Sequence, residues 1–146
     1  MKLINEKIVY YDGLCGLCDG SISLILKFDK THTLKYSSLQ GNSGQILLKQ
    51  LNKELYEFDT VLFKVNDQVY TKSTAVFKII DSIGGWIKIF KIFNLLPTKF
   101  NDWVYSKIAK NRFKYFGKLD SCDISKFNII NFKSFFIRLF YQIFLL

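Results

Sequence analysis

Cys15 and Cys18 stand two residues apart in the run Tyr11-Asp12-Gly13-Leu14-Cys15-Gly16-Leu17-Cys18. The strand-like run Ile8-Val9-Tyr10-Tyr11 comes just before them, and the apolar helical stretch Ile22 to Phe28 comes after. The order is strand, tight glycine-containing turn, Cys-x-x-Cys, helix. A helix N-terminus exposes unpaired N–H groups and the positive end of the helix dipole. A thiolate placed there is stabilised, its pKa falls, and it becomes a nucleophile near neutral pH. A second thiol about one turn along can attack the first and close a disulfide. These are the parts of a dithiol–disulfide exchange site, with Cys15 as nucleophile, nearer the turn and less covered by the helix, and Cys18 as resolving thiol. Asp12 can accept N–H groups of the turn in the manner of an N-cap, although a carboxylate this close raises a thiol pKa. Gly13 answers a backbone need of the turn.

Other chemistry competes for the same residues. Cys15, Cys18, Cys122 and His32 could form a Cys₃His zinc set, and the alternative to exchange is a structural metal-binding protein or a membrane-associated adaptor without redox catalysis. The second half of that set lacks paired spacing, and His32 sits in the polar turn Lys30-Thr31-His32-Thr33. No organic cofactor is implied, and electrons would come from a protein or small-molecule dithiol partner. Three cysteines make an odd count, which argues against a secreted disulfide framework. The start of the chain, broken by Lys2, Asn5, Glu6 and Lys7, is too charged for a secretory h-region. The expectation is a cytoplasmic, reducing setting. Net charge is +9, with eight basic residues in 86–118 against the single acid Asp102. The functional reading is a surface for nucleic acid or anionic lipid; no nucleic-acid motif accompanies the charge, and solvated helix faces are the plainer reading.

The elements that must position the cysteines follow from periodicity. Lys7–Tyr11 reads as a buried first strand, and 16–29 as a helix apolar nearly all round. Thr33–Ser37 reads as a second strand and Gly41–Leu51 as a short helix. Thr60–Val65 and Val69–Thr71 flank Asn66-Asp67-Gln68, which reads as a β-hairpin. Ser73 reads as the N-cap of a helix carrying Val76, Phe77, Ile79, Ile80 and Ile83, with Gly84-Gly85 as its stop. Two more helices are expected over 86–95 and 99–116, with Pro97 between them.

The Asp12-Gly13-x-Cys15-x-x-Cys18 block resembles the signature of the DCC-type thiol–disulfide oxidoreductases, a thioredoxin-like group named for its Asp-Cys-Cys triplet. Ser38-Leu39-Gln40-Gly41 resembles the family's Leu-Gln turn, and Lys72-Ser73-Thr74-Ala75-Val76 its Ser-x-Ala helix start. Leu96-Pro97, Asp102 to Tyr105, Asn111-Arg112 to Gly117, and Cys122 resemble its C-terminal block. The resemblance spans about residues 5–122. It implies an α/β, thioredoxin-like mixed sheet flanked by helices, with additional C-terminal helices, and a protein-disulfide oxidoreductase activity through Cys15 and Cys18. It also implies a second role for Asp12, relaying a proton from Cys18. Thioredoxins proper set a cis-proline against their cysteines. Pro97 is poorly placed for that, and Ser73-Thr74 is the segment expected to face Cys15. Cys122 reads either as a third redox thiol or as a small buried residue.

Residues 124–146 lie outside the resemblance and read as a separate amphipathic tail. On a helical wheel Phe132, Phe135, Phe136, Leu139, Phe140, Ile143 and Phe144 share one side, with Asn131, Ser134, Arg138 and Gln142 opposite and Lys133 at the boundary. Lys133 and Arg138 interrupt it as a membrane span. Peripheral membrane contact, packing on its own domain, and a partner protein all remain open for it, as does the oligomeric state.

Overall fold

Alternation along β1 (Lys7–Tyr11) decides the architecture. Val9 and Tyr11 point to one side of the strand, Tyr10 to the other, and all three are buried. A strand buried on both faces belongs at the centre of a sheet covered by helices on both sides. The computed structural model describes residues 6–53 and 61–118, and the expected 124–146 tail and Cys122 lie outside them. Its element order is β1, α1 (Gly16–Phe28), β2 (Lys35–Ser38), α2 (Asn42–Gln50), β3 (Leu62–Val65), β4 (Gln68–Thr71), α3 (Lys72–Ile83), a 3-10 helix (Gly85–Leu95) and α4 (Thr98–Phe116).

The four strands form one mixed sheet in the order β2-β1-β3-β4. β1 and β2 are parallel, as a crossover through α1 requires, with Val9 opposite Tyr36. β3 runs antiparallel to β1, and the β3–β4 hairpin closes the sheet, Leu62 opposite Thr71. The hairpin turn places Asn66 at φ 54°, a left-handed conformation that asparagine tolerates. The α/β, thioredoxin-like class expected from the sequence is the one observed.

Two hydrophobic clusters sit on the two sheet faces. One joins Val9, Tyr11 and Phe63 to Ile22 of α1 and to Ala75 and Ile79 of α3. The other joins Tyr10 and Leu62 to Leu39 and to Leu47 and Leu48 of α2. Gly44 lets α2 press on the chain after β2: a Cβ there would lie 2.4 Å from the Ser38 carbonyl oxygen and 2.5 Å from the Leu39 Cα.

One local expectation is corrected. Ser73 is not an N-cap. That position falls to Thr71, which makes no side-chain capping bond. Instead the Ser73 N–H and hydroxyl both donate to the Asp102 carboxylate, so α4 supplies the anion at the start of α3. The helix expected over 86–95 is present as a 3-10 helix, Gly85–Leu95. It ends where Asn101 Nδ2 donates to the Phe93 and Leu96 carbonyls, and Pro97 stands at the N-cap of α4.

Candidate active site

β1 delivers the chain from the middle of the sheet into the turn that holds the cysteines. Asp12 makes that turn. Its Oδ1 accepts the Leu14 N–H at 2.9 Å, and its carbonyl accepts the Cys15 N–H at 3.3 Å. Helix α1 then starts with Cys15 itself at the N-cap, in extended conformation and with no side-chain capping bond. Asp12 is therefore the turn former rather than the cap, and the sulfur occupies the place of a capping oxygen.

The two thiols meet each other. The Cys15 pKa is lowered from 9.0 to about 7. The chief cause is the Cys18 S–H, which donates to the Cys15 sulfur, and burial opposes it. The Cys18 N–H, the Arg112 charge and the Leu17 N–H add to the lowering. The Cys18 pKa moves the other way, pushed up by holding that hydrogen bond, by desolvation and by the charges of Cys15 and Asp12. Cys18 packs on the cluster that contains Ile22 and Ile25, so its proton has an apolar setting. Both cysteines are free thiols.

Exposure differs from the sequence expectation. Cys15 is fully buried, whereas Cys18 is partly exposed. The cover comes from the end of α4. Gly117, at φ 77°, turns the chain back so that Lys118 pairs with Cys15 in an antiparallel bridge, and the Gly16 N–H donates to the Gly117 carbonyl at 3.4 Å. Gly117–Lys118 is thus the backbone that pairs beside Cys15 among the described residues.

Behind the turn lies a polar network that sequence reasoning did not assign to the site. Arg112 Nη2 donates to Asp12 Oδ2 at 2.9 Å, and both side chains are buried. Gln40 Nε2 donates to Asp12 Oδ1 at 2.7 Å, while Gln40 Oε1 accepts the Gly13 N–H at 3.0 Å. The Ser38 hydroxyl also donates to that oxygen, which fixes the amide orientation. Two distant stretches of chain, residues 38–40 and the end of α4, therefore converge on the cysteine turn. Arg112 was read as one of a set of solvated bases; it is instead the buried counter-ion of Asp12. The available signal was its type: among the basic residues of 86–118 it alone is arginine, the side chain suited to buried carboxylate pairing.

His32 lies at φ 49° on an exposed turn. Among the described residues no group of three or more His, Cys, Asp or Glu side chains could hold a metal ion.

A sheet of this order, with paired thiols at the N-terminus of the helix that follows its central strand, defines a thioredoxin-like redox protein class. Within it, the model of the DCC1-like thiol-disulfide oxidoreductases matches residues 9–118, and the chain belongs to that family. It is 40% identical over 119 residues to a Bacillus subtilis protein named "Uncharacterized protein YuxK", covering 82% of this chain and 87% of that one. It is 30% identical over 121 residues to a chloroplastic DCC family protein of Arabidopsis thaliana, covering 82% of this chain and 70% of the other. No solved structure matches the chain significantly.

Proposed function

We propose that this protein is a protein-disulfide oxidoreductase that exchanges a dithiol and a disulfide through Cys15 and Cys18. The observation that carries the reading is the opposed pair of thiols at the start of α1, one favoured as thiolate near pH 7 and its neighbour held protonated. Family membership supports redox chemistry in general.

In the reducing direction the Cys15 thiolate attacks one sulfur of a substrate disulfide. A mixed disulfide forms and the first substrate thiolate leaves. Cys18 then loses its proton and attacks the Cys15 sulfur. The second substrate thiolate leaves, and a Cys15–Cys18 disulfide remains. The substrate gains two electrons and two protons, and a partner dithiol of the same chemical class restores the enzyme by the reverse steps. Asp12, whose charge is felt at Cys18, receives the Cys18 proton in the second step. Once Cys15 is bonded in the mixed disulfide it no longer carries the charge that held the Cys18 proton, which frees Cys18 to ionise for the second step. A cytoplasmic, reducing setting belongs to the same reading.

The test is covalent trapping. Cys18→Ser should accumulate a mixed disulfide on Cys15, identifiable by mass after digestion, and Cys15→Ser should form none. Wild-type protein equilibrated in glutathione buffers should lose both thiols together to alkylation. Persistent alkylation of both under mild oxidant would reject the exchange.

A further inference from the structure

The 3-10 helix carries a feature that thiol chemistry does not use. Side chains three apart eclipse one another in a 3-10 coil, and runs beyond a turn or so are uncommon. Here the coil lasts 11 residues. Its period lines up Trp86, Ile89, Ile92 and Leu95, which are 69%, 68%, 63% and 85% exposed. An α-helix would have spread these four around its girth, as their spacing is three throughout. The coil instead builds a single projecting apolar ridge. Phe100 and Trp103, at the start of α4, extend it with rings 6.0 Å apart and both well exposed. Contiguous exposed apolar surface of this kind marks a docking site.

Charge identifies the occupant. The next row of the coil holds Lys88 and Lys91, the latter paired with Asp81 of α3 at 2.7 Å, and the face of α4 that carries Phe100 and Trp103 continues through Lys107, Lys110 and Lys114. Lys107 Nζ lies 5.0 Å from the Trp103 ring centroid. The only carboxylate in 86–118 is Asp102, committed to Ser73. A second copy docked here would set lysines against lysines. So would residues 124–146, which hold Lys126, Lys133 and Arg138 and no acid. Trp86, Phe100 and Trp103 could stack on bases, but Ile89, Ile92 and Leu95, which make up most of the ridge, offer no stacking face. An apolar ridge with tryptophans, bordered by lysines, fits an anionic phospholipid surface: the ridge enters the acyl boundary and the lysines meet the headgroups. No helix among the described residues is long and apolar enough to cross a membrane. We propose that the Trp86-Ile89-Ile92-Leu95 ridge, together with Phe100 and Trp103, is an interfacial docking surface for anionic lipid bilayers.

Both tryptophans of the chain lie in this surface, so each reports on it directly. The full-length protein is mixed with vesicles of phosphatidylcholine alone, or of phosphatidylcholine with phosphatidylglycerol. The expected result is a blue shift of tryptophan emission and co-sedimentation with the mixed vesicles, weakened by salt and much smaller on the neutral ones. Brominated acyl chains should quench the emission of wild-type protein and of Trp103→Phe. Ile89→Glu with Ile92→Glu, both at exposed positions, should weaken vesicle binding by more than about tenfold. Lys88→Gln with Lys110→Gln should remove most of the preference for anionic lipid. The proposal is overturned by sedimentation without a tryptophan shift or quenching, or by a double-glutamate variant that binds as well as wild type. A lipid-free, concentration-dependent shift that tracks dimer formation overturns it in favour of a second copy.

Discussion

Removing the Cys18 thiol should disarm Cys15 without touching it. The Cys15 pKa drops from 9.0 to about 7, with the Cys18 S–H as the largest cause. Two units correspond to about 2.7 kcal/mol at ~1.36 kcal/mol per unit. At pH 7 about half of Cys15 is then thiolate, against about 1% at the ordinary value. Cys18→Ala deletes the donor and leaves the burial that opposes ionisation. Its Cys15 pKa should rise by more than about one unit, bringing the thiolate at pH 7 below about a tenth. Cys18→Ser keeps an O–H in the same place and should titrate much closer to wild type. Thiolate ultraviolet absorbance against pH, in a Cys122→Ser background, reads the ionisation without requiring a reagent to reach a buried sulfur. If the alanine and serine variants both titrate near 7, the helix N–H groups and Arg112 hold the thiolate, and the donor argument fails.

Other consequences are open to measurement. Asp12→Asn leaves the Arg112 guanidinium buried without its anion, so urea unfolding should show a loss of about 3–5 kcal/mol. The reduced protein should have a stability that depends on pH in two directions. Cys15, with its folded pKa depressed to about 7, contributes stability that grows from there to about 9 and is lost as pH falls through 7. Cys18, with its folded pKa raised, contributes stability present below about 9 and lost as pH climbs beyond it. Chemical denaturation across that range, compared with a Cys15→Ser/Cys18→Ser double variant, should show the rise and the fall vanish together. Gly44→Ala drives a Cβ into the backbone of Ser38 and Leu39, so a loss of about 1–3 kcal/mol is expected by thermal melting. Gly117→Val places a β-branched residue at φ 77° and should loosen the Lys118 pairing, raising the iodoacetamide rate at Cys15 several-fold at constant thiolate fraction.

The sequence disclosed whatever depended on local pattern. Alternation in Ile8 to Tyr11 and helical spacing after Cys18 placed β1 and α1, and two residues of turn chemistry at Asn66-Asp67 placed the hairpin. The cysteine pair was legible for the same reason, since its geometry is set within one helical turn. Partners brought by tertiary folding were not legible. Arg112 is one hundred residues from Asp12, and nothing in a lysine-rich helix announces which base turns inward. Gln40 belonged to a recognised turn, yet its grip on Asp12 and Gly13 exists only once β2 lies beside β1. Ser73 was misread because serine before an apolar run normally caps from its own side chain, and here Asp102 of another helix supplies the anion. The helix over 85–95 was legible but its 3-10 coil was not, because a three-residue apolar period over such a length also satisfies the i, i+3 half of an α-helical pattern.

The antiparallel pairing of Lys118 with Cys15 separates two properties that are usually found together in reactive cysteines. A thiolate attacks according to its charge, but it is damaged according to its contact with solvent. Here the charge is prepared while the sulfur has no exposed surface. Small oxidants in bulk water meet a closed backbone, so stepwise conversion of Cys15 to sulfinic and sulfonic acids should be slow for so acidic a thiol. A partner that presents an extended peptide edge, by contrast, can take over the backbone pairing that Lys118 makes and bring its own disulfide into line with the sulfur. On this view the chain end after α4 is a safety catch released by the shape of the substrate, and selectivity is decided before any electron moves.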